Sequence, residues 1–335
     1  MMSKRILWVD VVKGLLILTV ILGHAIQEPL KVRGISFEDN IWRNIIYSFH
    51  MPAFMAMSGY LMYRPIGGGN YWSSICKKFK QLIIPFFIWS IPLFIVYHNV
   101  DNIGDYLLYP NKGYWFLWAL FFISVIYTLI DWLCKETKSN KEFVIGITAL
   151  GLIGCQVALP NAKLFGYEYI AFYFIFYMMG YYANKYKDNL PNKSRILWTL
   201  FLVWAVMSCF WTPNGIPLFL RNIPFVPTKL IQMGYRILTP VIFIIWMYSA
   251  APKLKVSDSW IWRRLIDFGQ ISLGLYTAHM VVKNLFAKIL FDTMPMLPIW
   301  IHVLIEFIVL ILFSVFVVRL LLKLQITSKW LLGKW

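Results

Sequence analysis

VDVVKGLLILTVILGHAIQE, residues 9–28, is apolar enough to cross a bilayer, yet Asp10, Lys13 and His24 stand inside the run. A spanning helix needs about 20 mostly apolar residues. An ionisable group at that depth is expensive, and where one persists it faces a bundle interior or a wet cavity and marks a functional path. On a helix, Lys13 and His24 are separated by about 1,100° of rotation, which returns them to within about 20° of one face, and by about 16 Å of rise. Asp10 is one turn before Lys13 and within pairing reach of it. The stripe reads as a path from a cation in the cytoplasmic half to an imidazole near the outer end. The alternative is an Asp10–Lys13 pair that snorkels inward beside an interfacial histidine.

The whole chain has the same character. Of 335 residues, 60% are hydrophobic and 14% charged, against about 25% charged in a soluble domain. Apolar segments recur to the C-terminus, so no cleaved secretory leader with a polar mature chain is expected. Segments long enough to span fall near 6–26, 44–63, 79–98, 113–134, 143–159, 168–184, 196–212, 231–250, 268–290 and 297–321. The expected fold is an all-α polytopic membrane protein, a bundle of about ten transmembrane helices forming a single domain over residues 1–335. Lys and Arg concentrate in alternate loops, as at Lys77, Lys78 and Lys80, at Lys135, Lys138 and Lys141, and at Arg263 and Arg264. The opposite loops hold fewer, partly offset by Glu28, Glu38, Asp39, Asp101, Asp105 and Glu168. By the positive-inside rule both termini are cytoplasmic.

The net charge of +17 is thus accounted for by topology and attraction to anionic lipid, and no polar domain presents a nucleic-acid-binding face. Cys76, Cys134, Cys155 and Cys209 show no CxxC or CxxH spacing, so neither a metal site nor a disulfide framework is expected. NYWSSICKKFKQL, residues 70–82, reads as a basic helix lying in the cytoplasmic interface before the chain turns inward. Gly67, Gly68 and Gly69 before it form a hinge and lack the GK[ST] of a phosphate loop. The proline-rich, apolar residues 212–229 are expected to fold back over an outward-facing cavity.

RILWVDVVKGLLILTVILGH resembles the first-helix pattern of the integral-membrane acyltransferase family 3, with its acidic residue, its basic residue before glycine and its Gly-His pair. Three further stretches resemble that family in order: FHMPAFMAMSGYL at 49–61, GYWFLWALFF at 113–122 and ISLGLYTAHMVV at 271–282. The resemblance implies transfer of an acyl group, most often acetyl, from cytoplasmic acyl-CoA to a hydroxyl of a sugar or other acceptor reached from the outer side. Many members have Arg where this chain has Lys13, and Arg-x-Arg where it has Lys78-Phe79-Lys80. Lysine lacks the bidentate fork but remains a competent phosphate binder. The Lys-Gly variant is similar to the fucose 4-O-acetylase-like branch, which does not identify the acceptor. Many members carry a further extracellular domain, and with the chain ending at Trp335 the membrane domain is expected to do the chemistry alone or with a separate protein.

On this reading Lys13, Lys78 and Lys80, with Asp10 beside the path, hold the phosphates of acetyl-CoA as a substrate rather than a resident cofactor. The pantetheine arm then brings the thioester to His24, whose neutral imidazole takes the proton of the attacking hydroxyl. A covalent acyl-histidine is open to the same residues. His50, at a similar depth, is a candidate helper or oxyanion donor against a purely structural role. His302 and Glu306, four apart, read either as a base-orienting pair or as a satisfied buried pair. Trp115 reads as a stacking platform or as interfacial aromatic. His279 reads as a structural hydrogen-bonding residue, His98 as interfacial and Ser58 as a close-packing device. The expected partners are acyl-CoA, a cell-surface or lipid-linked glycan and the bilayer, and the expected location is a bacterial inner or plasma membrane. The competing class is a glycan transporter or exporter that uses the same polar cavity without acyl chemistry; no inverted repeat or pair of broken helices in matching halves supports it.

Overall fold

A computed structural model describes residues 6–36, 40–63, 70–97, 101–158, 164–212 and 228–334. The glycine hinge at 67–69, His98 and nearly all of the proline-rich stretch lie outside the described residues. The described residues form helices and their connections, with no strand among them. Five helices are long and apolar enough to cross a membrane: Leu7–Val32, Tyr71–Tyr97, Trp115–Thr137, Ile231–Lys253 and Ile299–Lys323. By internal packing the chain divides into two compact units, residues 1–63 with 179–316 and residues 64–178 with 317–335.

The first unit is organised on α1 (Leu7–Val32), which packs against α3 (His50–Met62), α12 (Trp260–Gln270) and α13 (Ser272–Thr293). Glycines let the backbones meet. A Cβ on Gly14 would overlap the carbonyl oxygen of Leu265, and one on Gly269 would overlap that of Asp10, so α1 and α12 are in direct main-chain contact. Small residues at such crossings are how membrane helices gain close packing. On the other side of α3, Gly180 sits on the Ala56 carbonyl, and the Asn184 amide donates to the Tyr60 carbonyl at 2.7 Å. Tyr60 stacks on Tyr248 with centroids 5.0 Å apart, tying α3 to α11 (Thr228–Ala250).

Several expected spans differ in the structure. The segment 44–63 is broken into α2 (Ile41–Tyr47) and α3, with Phe49 at φ −136° and ψ −32° between them. Pro52 occupies the first turn of α3, where its missing N–H leaves no helical bond unmade. The first span is also longer than residues 6–26. Its helix continues through Pro29 to Val32, so Glu28, read from sequence as a loop charge, is a buried helical residue.

In the second unit, α4 (Tyr71–Lys78), a π-helical turn at Phe79–Ile83 and α5 (Ile84–Tyr97) form one continuous helix. The expected interfacial helix therefore does not turn away; it runs on into the apolar segment through the π-turn, and Asn70 caps it by accepting from Ser73 N at 3.2 Å. α7 (Trp115–Thr137) packs on this helix and anchors a connection through Trp118, whose indole N–H donates to the Phe165 carbonyl at 2.7 Å. The C-terminal helix α15 (Gln325–Leu332) is fixed by Trp89, whose indole donates to the Leu331 carbonyl at 2.9 Å. Gly333 follows at φ +63°, where a side chain would strain the backbone and overlap the Gln81 carbonyl.

Candidate active site

α1 and α13 each carry two polar residues one turn apart: His24 and Glu28 on α1, His279 and Lys283 on α13. Residues four apart share a helix face, so packing α1 on α13 brings all four together. The Lys283 ammonium donates to the Glu28 carboxylate, and its Nζ lies 3.4 Å from Nδ1 of His24. Glu28 is 2% exposed and Lys283 8%. With its amide nitrogen facing Glu28, Asn284 donates to both carboxylate oxygens, at 3.1 and 2.5 Å. Breaking such a buried pair by removing one partner strands an uncompensated charge.

The surrounding imidazoles have defined tautomers. His279 Nδ1 lies 2.8 Å from the Leu275 carbonyl and His50 Nδ1 lies 2.7 Å from the Ile46 carbonyl. A carbonyl only accepts, so both rings carry the proton on Nδ1 when neutral and leave Nε2 as an acceptor. His279 is fully buried, and its ring centroid is 5.3 Å from that of His24. The break before α3 is what turns His50 back onto the end of α2. Tyr47, the last residue of α2, packs edge-on against His50 and donates from its hydroxyl to Gln27 at 2.7 Å. Of the three imidazoles, His24 is the half-buried one. Its Nδ1 is turned toward Lys283, which leaves Nε2 for a substrate.

Glu306, on α14 (Ile299–Lys323), is 1% exposed, lies within electrostatic range of Glu28 and Lys283, and neither of its carboxyl oxygens has a hydrogen-bond partner. It does not form the pair with His302 that their spacing allowed. Both nitrogens of His302 are committed elsewhere: Nδ1 lies 3.1 Å from the Arg33 guanidinium and Nε2 lies 2.9 Å from the Met294 carbonyl. Arg33 also donates to the Leu297 carbonyl at 2.6 Å, so His302 closes the end of α1 onto the loop before α14.

The remaining sequence candidates are distributed between the units. Asp10 is buried and Lys13 half-buried on α1, where Gly269 of α12 lies under the Asp10 backbone. Lys78 ends α4 half-buried, and Lys80 is exposed within the π-turn of the second unit. Trp115, also in the second unit, stacks on Tyr169 at 4.5 Å and packs on Tyr173 at 5.0 Å. Ser58 donates to the Phe54 carbonyl at 3.1 Å, a back-bond within α3. Among the described residues no cluster of His, Cys, Asp and Glu suits a metal ion.

Sequence reading overlooked Lys283 and Asn284 and discounted Glu28 and His279. The helical arithmetic that joined Lys13 to His24 would have found the four-residue spacings of His24 to Glu28 and His279 to Lys283.

A family model described as an acyltransferase domain, that of acyltransferase family 3, matches residues 6–322. The chain belongs to this family. The chain is 28% identical over 220 residues to nodulation protein NolL of Sinorhizobium fredii, covering 62% of this chain and 57% of that protein. It is also 28% identical over 221 residues to nodulation protein NolL of Mesorhizobium japonicum, covering 62% and 56%. The chain thus spans little more than half the length of these curated relatives. No solved structure matches it significantly. Family membership and the five apolar helices make it a membrane protein, and the family match favours acyl chemistry over the transporter alternative.

Proposed function

We propose that the protein transfers an acyl group, acetyl above all, from cytoplasmic acyl-CoA to a hydroxyl of a cell-surface or lipid-linked glycan, at His24. It works in a bacterial inner or plasma membrane, with about ten membrane-crossing segments and both termini cytoplasmic. The observation that carries the reading is the setting of His24: a half-buried imidazole in the family-matched first helix, with one nitrogen engaged by a buried lysine and the other left for substrate. Within the first unit Lys13, with Asp10 on the same helix, is a phosphate-binding group for the donor; within the second, Lys78 and Lys80 are phosphate-binding groups and Trp115 offers a stacking face. His50 and Glu306 line the acceptor side of the same site.

In the reaction the acceptor oxygen attacks the thioester carbon. The C–O bond forms, the C–S bond breaks, the hydroxyl proton passes to Nε2 of His24, and CoA departs as the thiolate. General-base catalysis of this kind contributes about 10²- to 10⁴-fold. The test is mass spectrometry of surface glycans from cells with the protein, without it, and with His24→Ala. Loss of one acyl mass in both of the latter is expected, with the variant inserted and folded. Unchanged acylation with His24→Ala would remove His24 from the chemistry.

A further inference from the structure

Where the start of α4 meets the end of α7, the second unit holds a cavity of about 300 Å³ lined by Tyr71, Asp131, Cys134, Lys135, Ser139 and Lys141. α7 ends at Thr137, and Lys138 follows at φ +54°. That left-handed residue reverses the chain, so Ser139 and the first residue of α8 (Lys141–Ala158) return to the last turns of α7. The charges inside divide in two. Lys141 donates to the Asp131 carboxylate and, at 2.9 Å, to the Tyr127 hydroxyl, which neutralises Asp131. Lys135 makes no ion pair among the described residues, and its ammonium stands over the Tyr71 ring, 6.0 Å from the centroid. The Ser139 hydroxyl is bonded to that of Thr137 at 2.8 Å. The cavity has the size of a small ligand pocket. It offers an aromatic face on which a base can stack, an ammonium on a flexible stem and a hydroxyl.

The same face of α4 carries a second cation. Tyr71 and Lys78 are seven residues apart, about 700° of rotation, which places them within about 20° of one face and about 10 Å apart along the axis. Ile75 and Leu82 continue the stripe, and all four are half-buried or buried, whereas Trp72, Ser73, Lys77 and Phe79 are exposed. A phosphate site beside an aromatic wall is thus followed, along one helix face, by another cation. CoA has this pattern at its nucleotide end: adenine, a phosphate on the 3′ oxygen of the ribose and a diphosphate on the 5′ oxygen. A phospholipid headgroup has a phosphate but no base to fill the cavity. We propose that the cavity takes the adenine and 3′-phosphate of the donor, with the base against Tyr71 and the 3′-phosphate on Lys135 and Ser139, so that the 5′-diphosphate reaches Lys78. This rests on acyl-CoA being the donor.

The test is calorimetric titration of the full chain, in nanodiscs of zwitterionic lipid, with CoA, dephospho-CoA and adenosine 3′,5′-bisphosphate. In the wild type the bisphosphate is expected to compete with CoA. CoA is expected to bind about tenfold or more tightly than dephospho-CoA, the contribution of one charged hydrogen bond. Lys135→Gln should abolish that difference by weakening CoA alone, and Tyr71→Leu should weaken both ligands alike. Lys135 is exposed, so its variant should melt as the wild type does. A preference for CoA over dephospho-CoA that survives in Lys135→Gln, or a wild type that does not bind the bisphosphate, would overturn the proposal. So would a Lys135→Gln protein that loses only co-purified anionic phospholipid, seen by native mass spectrometry, with its nucleotide affinities unchanged. Bisphosphate binding that depends on Lys135, in a protein that transfers nothing from acetyl-CoA, would sink the acyl-CoA reading and leave the pocket standing. Acyl transfer from acetyl-CoA with titrations indifferent to Lys135 would do the opposite.

Discussion

Alanine at Gly14 or Gly269 puts a methyl group where the facing helix has backbone. On Gly14 the added Cβ would overlap the Leu265 carbonyl oxygen and lie 2.9 Å from its carbonyl carbon; on Gly269 it would overlap the Asp10 carbonyl oxygen and lie 2.7 Å from its carbonyl carbon. No side chain can swing aside to relieve either clash, so α1 and α12 must separate by on the order of 1 Å to restore ordinary van der Waals contact. Overpacking of this kind costs about 1–3 kcal/mol, or several degrees of melting temperature. The two clashes are relieved by one displacement. The double variant is therefore expected to melt close to the worse single variant, with a coupling of about 0.5–3 kcal/mol. Gly180→Ala, which clashes with the Ala56 carbonyl at another crossing, should add to either one. Thermal melts in a single detergent, paired with acyl-transfer rates, measure all of this. A Gly14→Ala protein that melts like wild type, or a double variant at the sum of the singles, would refute the close crossing.

Lys78→Ala with Lys80→Ala should weaken acyl-CoA binding, with a larger deficit at low salt, where screening is weaker; equal affinity by titration calorimetry would move the donor phosphates elsewhere. On the proposed donor role of Lys13, replacing Asp10 and Lys13 together by Asn and Met should lose activity while the protein still inserts and folds. Lys13→Arg should keep or improve donor affinity, as its fork grips a phosphate at two points. Steady-state kinetics on the three proteins decides between these outcomes, and an active double-neutral protein would make the stripe structural.

The apolar composition and the stripe on α1 were legible in the sequence because both depend on local spacing. α1 is one unbroken helix from Leu7 to Val32, so the eleven-residue arithmetic from Lys13 to His24 applies along it. The helix runs past its expected end at residue 26, so Glu28, expected in a loop, is helical. The break before His50 had a local signal in Pro52, which favours a helix start near residue 50, but the apolar run across 44–63 hid it. Lys283 carried the weakest signal. One cation inside an apolar helix gains meaning only from Glu28, 255 positions away in the chain, and that proximity comes from the crossing of α1 and α13 rather than from any short pattern.

Buried polar groups of the helices fall into satisfied and unsatisfied ones. Trp89, Trp118, Asn184 and His302 reach their partners and close helix ends or connections. Nε2 of His279 and both oxygens of Glu306 are buried without a hydrogen-bond partner, and each such atom costs about 1–3 kcal/mol in desolvation. These three atoms lie beside Glu28, Lys283 and His24. A polyhydroxylated acceptor could donate hydroxyl hydrogens to them, recovering on binding what the folded protein forgoes alone. On the proposed function, a hydroxyl donating to these atoms would be held beside His24.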